Sequence, residues 1–218
     1  MDKTQLEIRN ISGNITRAAD DSRYVEGYAI VFNSRSEDLG FIETIDRDAI
    51  SQEMINGCDV FALFNHDDEK VLARSNKGSG SLHLEVDDIG LRYSFDAPNT
   101  DLGNTLLEYL KRGDITGSSF AFYVDWDDHS SQTWETKNGI KYRTIHKISY
   151  IHDVSPVFCP AYSATSVSKR AIDKIDELNE MEKRQAEQEQ REKEEIINKL
   201  DNIIAKVDNT CSELNIDK

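Results

Sequence analysis

Leu82-His83-Leu84-Glu85-Val86-Asp87-Asp88-Ile89-Gly90-Leu91-Arg92-Tyr93-Ser94-Phe95 alternates apolar and polar residues twice, on either side of a short break. Leu82, Leu84 and Val86 share one face, and Leu91, Tyr93 and Phe95 share another. A period of two is that of a half-buried strand, and the break containing Gly90 joins the two runs as a hairpin. Outward from this hairpin the pattern repeats. Gly27-Tyr28-Ala29-Ile30-Val31-Phe32 reads as a strand, Val60 to Phe64 as a short apolar one, and Ser119 to Trp126 as an aromatic one. Arg143 to Ile151 makes a further strand, facing 119–126 across a polar loop from Asp127 to Lys141. At least six short strands in one body predict a barrel or a sandwich.

A helix interrupts the strands. Pro98-Asn99-Thr100-Asp101 offers an N-cap and an acidic first turn; Leu102, Leu106, Leu107 and Leu110 form one apolar face. Lys111 and Arg112 stand at its C-terminal end, and Gly113 supplies the left-handed stop. A second helix is expected over Asp46 to Asn56. The body is thus of the α+β class, mainly antiparallel strand flanked by helices.

Composition changes near Ser168. Residues 168–218 hold no Gly, Pro or aromatic residue, with 10 basic and 14 acidic residues. The body, 1–167, holds 16 and 27, so most of the formal charge of −15 belongs to it. The tail reads as helix. Ile172, Ile175, Leu178 and Met181 recur every three residues, and Ile196, Leu200, Ile203 and Val207 have the a/d spacing of a coiled coil. Between them, Glu182 to Glu195 has only Ala186 as an apolar residue, so this middle is a solvated helix or a linker.

A charge of −15 excludes binding of bulk nucleic acid through a general basic surface and argues against an anionic membrane. No run of about 18 apolar residues is present, and residues 1–20 lack an apolar export signal, so a cytosolic site of synthesis is expected. Cys58, Cys159 and Cys211 are too scattered for a disulfide framework or a zinc site, and three free thiols are expected. No cofactor and no metal is implied.

Three stretches carry candidate chemistry. In Phe64-Asn65-His66-Asp67 a histidine leaves a strand, a position that suits a general base. In Gly113-Asp114-Ile115-Thr116-Gly117-Ser118-Ser119-Phe120, small residues open a strand around two hydroxyls. It is not a G-x-S-x-G elbow. In Ile151-His152-Asp153-Val154-Ser155-Pro156-Val157 a carboxylate stands before a proline and can orient a histidine. His146 and His152 are further candidates. His66 with Asp67 could serve a metal hydrolase, but no HExxH accompanies them.

In order, these pieces resemble the prohead (procapsid maturation) proteases of tailed bacteriophages, serine proteases whose fold is similar to that of the herpesvirus assemblins. The resemblance opens with Gly27-Tyr28-Ala29, Phe32-Asn33, Glu37-Asp38-Leu39-Gly40 and Phe41-Ile42-Glu43-Thr44-Ile45. It continues through Ala62-Leu63-Phe64-Asn65-His66-Asp67, Val71-Leu72-Ala73-Arg74, Gly90-Leu91, Arg112-Gly113-Asp114 and Gly117-Ser118-Ser119-Phe120-Ala121-Phe122. Asp153-Val154-Ser155-Pro156-Val157 and Pro160-Ala161-Tyr162 complete it, over residues 25–168. Three positions depart from the family pattern: Leu39, where a second glycine is usual; Asp48-Ala49-Ile50, where many members have Gly-Ala-Phe; and Ser118, where Met is frequent.

The resemblance implies a herpesvirus-protease-like antiparallel β-barrel with helices at its flanks. It implies Ser119 as nucleophile, with Ser118 the alternative, His66 as base and Asp153 as third member, with His152 or His146 in its place by analogy with the herpesvirus enzymes. It further implies a protease domain over 1–167 and, over 168–218, a helical tail that docks, forms a coiled coil or is cut away. The expected substrates are the scaffold or the scaffolding segment of the major capsid protein, and the enzyme itself. The expected setting is the procapsid interior in the host cytoplasm, as a homodimer. The competing reading is a non-catalytic assembly or scaffolding protein on the same fold, and a simple dimerisation module stands behind it.

Overall fold

The computed structural model describes residues 4–11, 13, 15–17, 22–158 and 164–213. The chain divides into two compact units, Met1–Lys169 and Arg170–Lys218.

The first unit is mostly sheet. Its largest sheet has six strands in the order β1 (Thr4–Ile11), β10 (Gly117–Asp125), β13 (Tyr150–Val157), β5 (Asp59–Phe64), β6 (Asp67–Asn76) and β7 (Ser79–Gly80). A second sheet runs β2 (Ile15–Arg17), β3 (Tyr24–Val31), β9 (Gly90–Asp96), β8 (His83–Val86). A third runs β11 (Gln132–Lys137), β12 (Ile140–Ile145), β4 (Ile42–Ile45). Antiparallel pairing dominates, and the exceptions are β12 with β4 and β13 with β5. The expected barrel does not close. Among the described residues the strands fall into three separate sheets, and β7, only two residues long, offers no ladder on which β1 could close the largest one.

The hairpin of β8 and β9 forms as its alternation requires, and β9 pairs onward with β3. Val25, Ile30, Tyr93 and Phe95 from this sheet meet Phe120, Phe122 and Val154 from the largest sheet in one core. Each such side chain stabilises by about 1.5–3 kcal/mol when removed from water. Helix α2 (Asp101–Arg112) covers this core with Leu106 and Leu107. The Thr100 hydroxyl accepts from the Gly103 N–H, and Gly113, at φ 76°, ends the helix in the left-handed region.

Three local expectations change. Residues 46–56 do not form one helix: a 3₁₀ turn (Arg47–Ala49) is separated by extended Ile50 and Ser51 from the short helix α1 (Gln52–Gly57). The Ser51 hydroxyl caps α1, which fixes where it begins. Residues 143–151 are not one strand: β12 ends at Ile145, and β13 begins at Tyr150 beside β10. The presumed loop 127–141 is largely a hairpin, because Asn138 and Gly139 have φ 54° and 78°, as a two-residue type I′ turn demands.

Helix α3 (Ala164–Glu213) runs without interruption through the charged middle. Pairs four residues apart support it there, Arg184 with Glu180 at 3.1 Å and Lys199 with Glu195 at 3.9 Å. Ile196, Ile197, Leu200, Ile203 and Ile204 are exposed. Among the described residues no helix is long and apolar enough to cross a membrane. Cys58 is buried and free, and Cys159 lies outside the described residues.

Candidate active site

Ser119 sits on β10 between two partners, opposite Asn10 of β1 and Ser155 of β13. Successive side chains on a strand point to opposite faces, so Ser118 and Ser119 separate. The Ser118 hydroxyl turns to the Tyr93 hydroxyl at 2.8 Å. Burial pushes the Tyr93 hydroxyl well above the usual tyrosine range, with the Ser118 hydrogen bond opposing it. That engagement takes Ser118 away from the histidine, and Ser119 is the hydroxyl that meets it.

Asp153 and Ser155, two apart on β13, share a face. Asp153 lies opposite Ala121 of β10 and Phe61 of β5. It is 2% exposed, which for a carboxylate requires hydrogen bonds.

His66 comes from the turn between β5 and β6. Phe64 pairs with Asp67, so Asn65 and His66 form a two-residue turn, with φ 55° and 59°. Positive φ at both positions makes this turn type I′ as well. The analogous turns at Lys77-Gly78 and Asn138-Gly139 place glycine second. Here a histidine stands in the glycine position, in a backbone conformation costly for a side chain with a Cβ. The Asn65 N–H donates to the Pro156 carbonyl at 3.0 Å, which ties the turn to β13.

These three elements bring Ser119, His66 and Asp153 into one line. His66 Nε2 is 2.5 Å from Ser119 Oγ, and His66 Nδ1 is 2.7 Å from Asp153 Oδ1. The imidazole can thus take a proton from the hydroxyl on one side while the carboxylate fixes its tautomer on the other. Ser119 Oγ also lies 2.9 Å from the Arg9 carbonyl of β1. A hydroxyl has one proton to donate, so these two acceptors compete for it. Ser119 is fully buried, and the His66 side chain is 17% exposed.

His146 and His152 are elsewhere engaged. His146 Nδ1 is 2.5 Å from Asp46 Oδ2, and its Nε2 is 3.0 Å from Thr133 Oγ1. His152 lies 3.7 Å from Asp68 Oδ1, with its ring tilted 49° to that of Phe61 at 6.4 Å between centroids. Asp67, the supposed companion of His66 in a metal site, pairs with Lys70 at 2.8 Å. Among the described residues no three His, Cys, Asp or Glu side chains are grouped to hold a metal ion.

Two features escaped the sequence reading. Ser155 Oγ donates to Asp153 Oδ1 at 2.5 Å, and its place two residues along the same strand was a visible signal. The second is a buried ion cluster beneath β1. Arg9 donates to Glu43 at 2.6 and 2.9 Å and to Glu7 at 2.7 Å. Arg143 bridges Glu7 and Glu43, and its guanidinium lies over the Trp126 and Trp134 rings. Burial alone would raise the Glu7 carboxyl, but Arg143 and Arg9 outweigh it and lower that group to about 2. No local pattern announces partners 100 and 136 residues apart.

Among solved structures, the chain is similar to the bacteriophage T4 capsid assembly protease gp21, at 12% identity and a TM-score of 0.45. That likeness covers 71% of this chain and 99% of the other. No curated protein matches the chain in sequence. The family model described as caudovirus prohead serine protease matches residues 9–181. The match begins within β1 and extends into α3, further at both ends than the motifs alone reach. With this match over most of its length, and with a serine and an aspartate of its largest sheet joined by a histidine from the β5–β6 turn, the chain belongs to the caudovirus prohead serine proteases.

Proposed function

We propose that Ser119, His66 and Asp153 form the catalytic triad of this capsid maturation protease, and that it cleaves the scaffold or the scaffolding segment of the major capsid protein, and itself. The observation that carries this reading is the continuous hydrogen-bonded line from Ser119 through His66 to Asp153. In the first step His66 Nε2 accepts the Ser119 proton as Oγ attacks the scissile carbonyl. In the next, the imidazolium returns that proton to the leaving amine, and an acyl-enzyme remains for water to hydrolyse. Asp153 holds the Nδ1–H toward itself and stabilises the imidazolium. The protease domain is residues 1–167, and the helical segment 168–218 docks the enzyme on capsid or scaffold before being cut away. The site of action is the procapsid interior in the host cytoplasm, with the enzyme as a homodimer.

Intact masses of the purified wild type and of Ser119→Ala, followed over several days, test this. We expect fragments in the wild type, with cuts concentrated in 168–218, that are missing from the variant. Identical fragments in both would overturn self-cleavage by Ser119.

A further inference from the structure

We propose that Ser155 is a positioning residue of this site, acting through Asp153; this rests on the triad reading above. Three observations carry it. First, Ser155 is fully buried, and its hydroxyl donates to Asp153 Oδ1 at 2.5 Å. The same oxygen receives His66 Nδ1 at 2.7 Å. A carboxylate held by one donor can rotate about its χ angles, whereas two donors on one oxygen, approaching from different elements, fix where that oxygen sits. Second, Ser155 stands opposite Ser119 in the β10–β13 ladder, so acid, positioning hydroxyl and nucleophile share one patch of sheet. Third, the next residue anchors the base: the Pro156 carbonyl accepts the Asn65 N–H at 3.0 Å and so holds the turn that presents His66. Asp153-Val154-Ser155-Pro156 therefore sets the acid through a side chain and the base through a main-chain carbonyl.

The hydroxyl also has an electrostatic effect. Its hydrogen bond spreads part of the Asp153 negative charge. Without it, the buried carboxylate presents more of that charge to His66 and holds the imidazolium more tightly. Loss of Ser155 is thus expected to do two separable things: lower the rate, because the acid is less well held, and move the pH midpoint of the rate upward, because the base keeps its proton to higher pH.

The test is the rate of Ser119 modification by a small fluorophosphonate across pH, on the full chain, for the wild type, Ser155→Cys, Ser155→Ala and Ser119→Ala. Melting temperatures accompany each. Cysteine is close in size to serine but a weaker donor, so a steric role and a donor role separate. We expect a plateau rate about tenfold to hundredfold lower in Ser155→Ala, an upward midpoint shift, and an intermediate value for Ser155→Cys. Wild-type plateau and midpoint in Ser155→Ala would overturn the proposal while leaving the triad intact. So would a rate loss that follows melting temperature with no midpoint shift. Labelling that persists in Ser119→Ala would instead overturn the triad reading itself.

Discussion

His66 shows what a place in the proposed triad costs a single residue. It occupies the second position of a type I′ turn at φ 59°, where the sister turns place Gly78 and Gly139. The left-handed region costs a residue with a Cβ roughly 1–2 kcal/mol. His66→Gly and His66→Ala both remove the imidazole, so their difference isolates the backbone term. We expect the glycine variant to be the more stable by about 1 kcal/mol in urea denaturation, with Ser119 left unlabelled by a fluorophosphonate in both. Equal stability would show that the turn is not strained. The histidine was legible in the sequence because it ended an apolar strand, Val60–Phe64. Its turn type was not, because Asn65-His66 lacks the glycine that marks such turns. Conversely, Asn138-Gly139 carries that mark plainly, and reading 127–141 as a loop passed over it.

At the scale of elements, alternation in the sequence located β3, β8, β9 and β10, and α2 was marked at both ends by Thr100 and Gly113. Partnering between elements was much less legible. β1 and β13 flank the strand of the proposed nucleophile, yet nothing local pairs Asn10 or Ser155 with Ser119. The same holds for Glu7, Arg9, Glu43 and Arg143, which join β1 of the largest sheet to β4 and β12 of the third. This buried cluster links those sheets electrostatically. Removing Arg143 leaves two buried carboxylates facing Arg9 alone, so one buried negative charge is uncompensated. Arg143→Ala is expected to destabilise by about 3–5 kcal/mol, read as a lower denaturant midpoint. A loss within about 0.5 kcal/mol would mean that the cluster contributes little to joining them.

For the whole molecule, the cluster sets a limit in acid. The Glu7 carboxyl is lowered from 4.5 to about 2 by Arg143 and Arg9, against the opposing effect of burial. The unfolded chain therefore takes up a proton there that the folded chain refuses. Glu7 contributes fully above about pH 4.5, and that contribution is lost as pH falls toward 2. Glu7→Gln is expected to lower stability at neutral pH and to flatten the decline between those values; an unchanged acid limb would contradict this. The fold class was legible as a count of strands, but closure was not, because it depends on which edges meet. The central claim of the proposed function is a single activated hydroxyl, and the direct measurement is where a small serine-directed fluorophosphonate lands. Peptide mapping of the labelled wild type, Ser118→Ala, Ser119→Ala and His66→Ala should place the adduct on Ser119, keep it in Ser118→Ala, and lose it in the other two. An adduct on Ser118 or another residue, or equal labelling of His66→Ala, would contradict the assignment of Ser119 as a nucleophile activated by His66.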